Sequence, residues 1–309
     1  MIMQIKNLTP GEFASTFQAA HIFNTVAFAQ LNSDKVERVH YLSFDDPKTC
    51  FGIVLGESNG VLRSPFSAPF GGFLEKGTHG LERMEKAVDV LADYARERSL
   101  KLLITLPPLV YDETKMSKWV SVMIRKMQLR HIDLNYHLDI SHVSHYSSVI
   151  NSSARNHLNQ ALRQNYCLHK LNSDNRDDVA RVYNVISCNH KERGFPLRMT
   201  FEQVWQTISN VVSADFFVLE HEGCDVAAAQ VFHVAAGIAQ VVYWGDIRQY
   251  AKLRPMNYLA YSLFGYYADN GLRILDIGPS TENGIPNYGL CEFKESIGCS
   301  VTMKYSFEL

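Results

Sequence analysis

The strongest constraint in this sequence is an order of elements that occurs twice. In the first half, Val36 to Phe44, Cys50 to Glu57 and Val61 to Ser64 have the apolar, β-branched and aromatic content of strands, and Ser58-Asn59-Gly60 joins the last two as an Asn-Gly hairpin turn. Leu81, Met84, Val88, Leu91 and Ala95 then fall at helical spacing, and the apolar run Leu102 to Leu106 stops at Pro107-Pro108. The second half follows the same plan. Asp215 to His221, Val226 to Val234 and Ile238 to Gly245 turn at Glu222-Gly223 and Ala236-Gly237. Leu259, Leu263 and Tyr266 mark a helix ending at Asn270-Gly271, and Leu272 to Ile277 is the strand after it. The turn at 56 to 60 matches Glu222-Gly223, and the joint Arg98 to Ile104 matches Asn270 to Asp276. Two copies of meander, helix and strand predict an α/β (α+β) chain of two domains, each a mixed, largely antiparallel sheet flanked by helices.

The remaining segments fit around these copies. Thr9-Pro10-Gly11-Glu12 is a capping box with proline at the first helical position, which predicts a helix running toward Leu31. A Pro/Gly-rich loop runs from Ser64 to Gly72. Met116, Val120, Met123 and Met127 share one helix face and read as core, and Ile132, Leu134, Tyr136, Leu138 and Ile140 alternate as a half-buried strand. Ile150, Ala154, Leu158 and Ala161 mark a helix carrying Arg155 and Arg163, so the domain boundary is placed near Ser144, dividing the chain into 1–144 and 145–309. A strand (Tyr166 to Leu171), a helix (Arg176 to about Asn189) and a second helix capped by Thr200 and Gln203 precede the second meander.

Composition excludes several classes. Thirty Lys and Arg against 32 Asp and Glu leave a net charge of −2, which gives no general drive toward nucleic acid or anionic membrane; DNA is not an expected partner, although a local basic patch stays open. The six cysteines, at 50, 167, 188, 224, 291 and 299, include no Cys-x-x-Cys and read as reduced thiols, with Cys291 and Cys299 as buried thiols rather than nucleophiles. Met1 to Leu8 lacks the pattern of a secretory signal. Val226 to Trp244 is the one apolar stretch of spanning length, but Gln230, His233, Gly237 and Gln240 make it a pair of strands, so a cytoplasmic chain without an integral membrane segment is expected. His142-x-x-His145, with His137 upstream, lacks the glutamate and third ligand of a zinc site, and no metal is expected. There is no Gly-x-Ser-x-Gly elbow.

A duplicated meander, helix and strand is also the plan of tandem GNAT-like acyltransferases. The stretch Asp276-Ile-Gly278, a loop, then Gly289 to Phe293-Lys294 and Gly298 resembles the closing motif of Fem-like peptidoglycan aminoacyltransferases and of CelD-type acetyltransferase domains. Ser153 to Leu162, with Arg155, resembles their arginine-bearing helix at the start of the second domain. Arg193-Gly194-Phe195-Pro196, and in the first half Ser64-Pro65 with Phe70-Gly71-Gly72, resemble further family segments. The resemblance covers most of the chain. It implies transfer of an acyl or aminoacyl group to an amine of a cell-envelope, sugar-linked or peptide precursor, the acceptor being a small molecule or linked to a lipid or nucleotide. The donor is acyl-CoA, another acyl thioester, or an aminoacyl-tRNA, which makes tRNA a possible partner. One departure stands out. GNAT enzymes that hold acetyl-CoA place glycines before the binding helix so that backbone N–H groups reach the pyrophosphate. This chain has Arg254-Pro255-Met256-Asn257 there, without glycine and with one donor missing at Pro255, while Lys76 to Gly80 in the first half is nearer in composition but also off pattern.

On this reading the donor-binding candidates are Arg254, Met256 and Asn257. Acceptor-side candidates are Ser64, Pro65, Phe70, Gly71, Gly72, Arg193 and Phe293, in a cleft between or beside the second-domain sheet and the Ser64 to Gly72 loop. Asp276 ends an apolar strand, where open sheets present ligand-binding residues, or it caps the following turn. Lys294 neutralises a phosphate or a tetrahedral oxyanion, or it is a solvated lysine at a helix start. Tyr243 donates a proton to a leaving group or packs in the core; Arg193 binds an anionic group or ends a surface helix. The Gly278 to Gly289 loop could build an anion nest but is no P-loop. A catalytically silent relative that binds such ligands, and an unrelated α/β interaction protein, are the competing classes.

Overall fold

In the computed structural model, described over residues 3–309 apart from the side chains of His142 and His145, the chain divides into two compact units. Unit 1 comprises Met1–Leu134, Asn283–Ile285 and Thr302–Leu309; unit 2 comprises Asn135–Glu282 and Pro286–Val301. The first half of the chain runs β1 (Gln4–Asn7), α1 (Pro10–Thr16), α2 (Val26–Leu31), β2 (Arg38–Asp45), β3 (Thr49–Ser58), β4 (Val61–Ser64), β5 (Phe73–Glu75), α3 (Leu81–Glu97), β6 (Lys101–Thr105), α4 (Glu113–Lys126) and β7 (Gln128–Asp139). It continues through α5 (Tyr146–Val149), α6 (Ser152–Ala161), β8 (Cys167–Leu171), α7 (Arg176–Arg193), α8 (Phe201–Asn210), β9 (Ala214–His221), β10 (Cys224–Ala235) and β11 (Ile238–Asp246). The last elements are α9 (Pro255–Asp269), β12 (Ile274–Pro279), the short β13 (Thr281–Glu282) and β14 (Ile285–Pro286), α10 (Tyr288–Ser296) and β15 (Ser300–Glu308).

In unit 1, β2, β3 and β4 form an antiparallel meander, and β6 returns through α3 to lie parallel to β4 from Val61↔Lys101 to Ser64↔Ile104. In unit 2, β9, β10 and β11 form the meander, and β12 returns through α9 to lie parallel to β11. The two copies therefore have the same connection, and Leu102–Leu106 and Leu272–Ile277 occupy equivalent places. The strand beyond is exchanged. β6 pairs antiparallel with β15, from the end of the second half, whereas β12 pairs antiparallel with the second part of β7, from the end of the first. This exchange accounts for the division of the chain within β7, after Leu134, and for the C-terminal strand's belonging to unit 1.

Packing follows the expected faces. In unit 1, Met84, Val88 and Leu91 of α3 and Met116, Trp119 and Met123 of α4 bury against Leu102, Ile104 and Phe307, with Trp119 stacked on Phe73 at 4.4 Å. The methionine face is core, each large side chain contributing about 1.5–3 kcal/mol by burial. A second cluster unites Phe13, Phe17, Ala29, Tyr41, Val54, Phe66 and Leu74. The capping boxes at Thr9 and Thr200 both form.

Two expectations need correction. The helix predicted from Thr9 to Leu31 is broken into α1 and α2: Phe17 turns extended, and Thr25 starts a new helix by accepting the Phe28 N–H. That break lets His21 and Phe23 fold inward against Phe70, with ring centroids at 4.9 and 5.0 Å. Lys294 lies in the last turn of α10, not at a helix start, and is 2% exposed. Among the described residues no helix is long and apolar enough to cross a membrane, and Val226 to Trp244 forms β10 and β11.

Candidate active site

A large concavity lies in unit 2 and arises from a mismatch in strand length. β11 has nine residues, but its ladder with β12 covers only Ile238 to Gln240, opposite Ile274 to Asp276. Beyond that point Val241 to Asp246 keep their pairing with β10 and leave β12, with Val242 as a bulge between Gln230↔Tyr243 and Val231↔Val241. The divergence opens a cavity of about 1140 Å³, with the Val241 to Asp246 backbone on one side and Ile277 and Pro279 of β12 on another. Parting parallel strands leave backbone N–H and C=O groups that a ligand must satisfy.

The start of α9 stands at this cavity. Pro255 and Asn257 are buried there, and Arg254, Met256 and Asn257 all line the space. Arg254 is the N-cap residue in a left-handed conformation (φ 62°, ψ 41°), and its Nε is buried without a hydrogen-bond partner. A helix N-terminus carries partial positive charge, and this guanidinium adds a full one, so the corner suits an anion. Asn151, Ser153 and His157 bring α6 to the same cavity. Burial and then the charge of Arg254 hold the His157 imidazole below its ordinary pKa, which keeps it neutral at pH 7.

The end of α7 supplies another wall. His190 packs edge-on to Tyr243 at 5.6 Å, and Arg193 donates to Asp246 Oδ1 at 2.9 Å. Asn189 donates to the Asp246 carbonyl at 2.7 Å and lies so close to Gly245 that a Cβ there would meet its side chain at 2.4 Å. Burial lowers the His190 pKa, opposed by the Pro196 and Phe195 backbone, and Nδ1 is buried without a hydrogen-bond partner. Burial raises the Tyr243 phenol, opposed first by a hydrogen bond from the Met199 backbone, and the phenol stays protonated at pH 7. On the α10 side Phe293 meets Trp244 edge-on at 6.1 Å.

Asp276 and Lys294 are organised differently from the rest. Asp276 is 0% exposed and accepts from Asn135 Nδ2, Gln240 Nε2 and the Gly278 N–H, each at 2.8 Å. Lys294 donates to the carbonyls of Ile277, Gly278 and Pro279 at 2.9, 2.9 and 3.2 Å. Burial lowers its pKa to about 8, opposed by the nearby Asp276 carboxylate. The solvated-lysine reading is therefore wrong, and the carboxylate does cap the turn that follows it.

Of the residues singled out in the sequence, Arg193, Tyr243, Arg254, Met256, Asn257, Phe293 and Lys294 converge on this cavity. Asp276 lies directly behind its Ile277 wall. Ser64, Pro65, Phe70, Gly71 and Gly72 belong to unit 1 and are not among its lining. There Phe70 is 1% exposed among His21, Phe23 and Tyr111, and Ser64 Oγ accepts the Gly72 N–H at 3.0 Å. Sequence reasoning passed over Asn189 and His190, although they lie one helical turn before Arg193 on the same helix, and it passed over His157, which follows Ser153 by four residues. The side chains of the His142 and His145 pair lie outside the described residues.

These two meander, helix and strand copies with a parting at the second define a tandem GNAT-like fold of the Fem type, and solved structures share it. A structure of FemX is 10% identical with a TM-score of 0.68, over 99% of this chain and 96% of that one. The C-terminal domain of a putative lysylphosphatidylglycerol synthetase from Agrobacterium fabrum is 10% identical with a TM-score of 0.62, over 97% and 92%. A tandem GNAT protein from the clavulanic acid biosynthesis pathway is 11% identical with a TM-score of 0.55, over 99% and 98%. No protein-family model matches the sequence, and no curated protein does.

Proposed function

We propose that this protein is an N-acyltransferase that moves an acyl or aminoacyl group from an activated donor to an amine, using the cavity of unit 2. The observation that carries the reading is the edge of β11 from Val241 to Gly245, which has left its ladder with β12 and lies next to the start of α9. Such an edge offers backbone hydrogen bonds along an extended donor arm. The Arg254 corner receives the donor's phosphates, by a side chain where other GNAT folds use a glycine-rich turn. In the transfer the amine nitrogen attacks the donor carbonyl, a C–N bond forms, and the C–S or C–O bond to the carrier breaks. His190, neutral at pH 7, accepts the proton lost by the amine, and Tyr243 supplies one to the departing sulfur or oxygen. Backbone N–H groups of the parted strand stabilise the oxyanion. Phe293 and Trp244 wall the acyl side, and Arg193, tied to Asp246, orients the acceptor.

The acceptor is an amine on a cell-envelope, peptide or sugar-linked precursor, a reading supported by the FemX and lysylphosphatidylglycerol synthetase folds. The donor is acyl-CoA or an aminoacyl-tRNA. A competing reading, a ligand-binding protein without chemistry, draws on Pro255, which removes one N–H from the anion corner. Mixing the protein with labelled acetyl-CoA or charged tRNA and a pool of envelope precursors separates the two. Label on the acceptor, lost by roughly 10² or more in Tyr243→Phe, supports transfer; label that stays on every donor sinks it.

A further inference from the structure

The turn at the end of β12 has a construction that the transfer chemistry does not require. An ammonium group has three hydrogens, and Lys294 spends them on three successive carbonyls, Ile277, Gly278 and Pro279. None is left for an oxyanion. The carbonyls converge because Gly278 sits at φ 74°, and the other side of the same turn is held by Asp276, which accepts the Gly278 N–H. The Tyr136 ring lies 5.4 Å from Nζ, presenting its face to the charge. Oxygens at 2.9 to 3.2 Å make a seat too wide for Ca²⁺, which binds oxygen at about 2.3–2.6 Å, and suited to a large monovalent cation.

We propose that Lys294 is a positioning residue: its ammonium is the resident cation of a three-carbonyl seat that fixes the β12 turn where the sheet parts, and it makes no contact with the transferred group. The inference rests on the acyl-transfer reading only for what the turn serves; the seat stands on geometry alone. Ile277 and Pro279, whose carbonyls form it, are also walls of the cavity, so a loosened turn disturbs donor placement.

Lys294→Ala empties the seat without removing its oxygens. In Na⁺ the variant should melt roughly 5–10 °C below the parent, since several buried carbonyls lose their donors. K⁺ or methylammonium should restore most of that loss, and with a verified donor both should also bring back its raised KM. Methylammonium restoring kcat while K⁺ does not would show that a proton-bearing group is needed at the reaction, and would overturn the proposal. So would a melting temperature equal to the parent's in every salt. If Lys294→Ala does not fold, the wild-type protein decides: ¹⁵N-lysine NMR should show one ammonium with slowly exchanging protons at neutral pH, absent in Lys294→Gln, and finding every lysine ammonium in fast exchange would refute the seat. These melting and NMR outcomes are read without substrate, so a failed transfer assay leaves them unaffected.

Discussion

The parallel strand pair differs between the two units at the point where the central strand runs past its partner. In unit 1 all four residues of β4 pair with β6, and the chain then turns back at Ser64-Pro65. The Gly71 N–H donates to the Thr105 carbonyl at 2.9 Å, so the loop takes up the β6 edge where a ligand would add. Phe66 lies against Gly56, whose Cβ would meet the ring at 2.6 Å, and Phe70 fills the pocket between His21, Phe23 and Tyr111. In unit 2, β11 continues for six residues beyond its ladder with β12, and among the described residues only the Asn189 side chain, on the Asp246 carbonyl, is seen to take up part of that edge. One connection thus yields either a closed core or an open site. The length of one strand and the apolar content of the loop after it decide which.

The largest test of this contrast removes the plug. Phe70→Ala should cost about 3–5 kcal/mol, measured by denaturant unfolding, because a fully buried ring is lost from a packed aromatic group. It should leave donor binding at unit 2 unchanged; weakened binding with unchanged stability would make the loop part of the site.

Acid should separate the units next. Burial holds the His21 pKa down to about 3, against a smaller upward pull from its hydrogen bond to the Gly71 backbone. The folded value lies below the unfolded one near 6.5, so the unfolded chain takes up the proton first. Stability is unaffected above pH 6.5 and falls by up to about 1.4 kcal/mol per pH unit between 6.5 and 3. In unit 2, burial alone would raise Asp215, but hydrogen bonds from His233, Lys170 and Tyr267 bring it down to about 2. Its contribution is complete above about pH 4 and is lost progressively as pH falls from about 4 to 2. Unit 1 should therefore loosen first on acidification, as followed by hydrogen exchange, and His21→Gln should flatten its decline between pH 6 and 4. Parallel loss in both units would show that His21 does not govern it.

Gly71→Val should destabilise by about 1–3 kcal/mol, since its Cβ would meet Ser64 Oγ at 2.7 Å and Pro65 N at 3.0 Å. Unchanged melting with impaired acceptor binding would restore the loop to the acceptor side. The smallest effect belongs to the open site: Arg254→Ala should leave stability nearly unchanged and weaken a phosphate-bearing donor about tenfold, by isothermal titration. Equal affinity would remove Arg254 from the anion corner.

Much of this fold was legible because each copy announces itself locally, by the Asn59-Gly60 turn, the Gly223 and Gly237 turns and the helix stop at Gly271. The exchange of β7 and β15 was not, since pairing partners far apart in sequence leave no local pattern. β15 itself escaped notice although Val301, Met303, Tyr305 and Phe307 alternate, partly because its buried residues include Lys304 and Ser306. Within the site, Tyr243, Arg254 and Lys294 could be proposed from type and position. The roles of Asp276 and Lys294 toward one turn, and the filling of the unit 1 cleft by Phe66 and Phe70, depend on contacts that only three dimensions supply.

The central claim is that the open edge of β11 is the donor site and that its counterpart in unit 1 is closed. Hydrogen exchange resolved to single amides, with and without saturating acetyl-CoA or a charged tRNA, tests it most directly. The account predicts added protection for Val241 to Asp246 and for Met256 to Tyr258, with Val61 to Gly72 slow and unchanged throughout. Protection that appears at Ser64 to Gly72 instead, or at neither region with either donor, would contradict it.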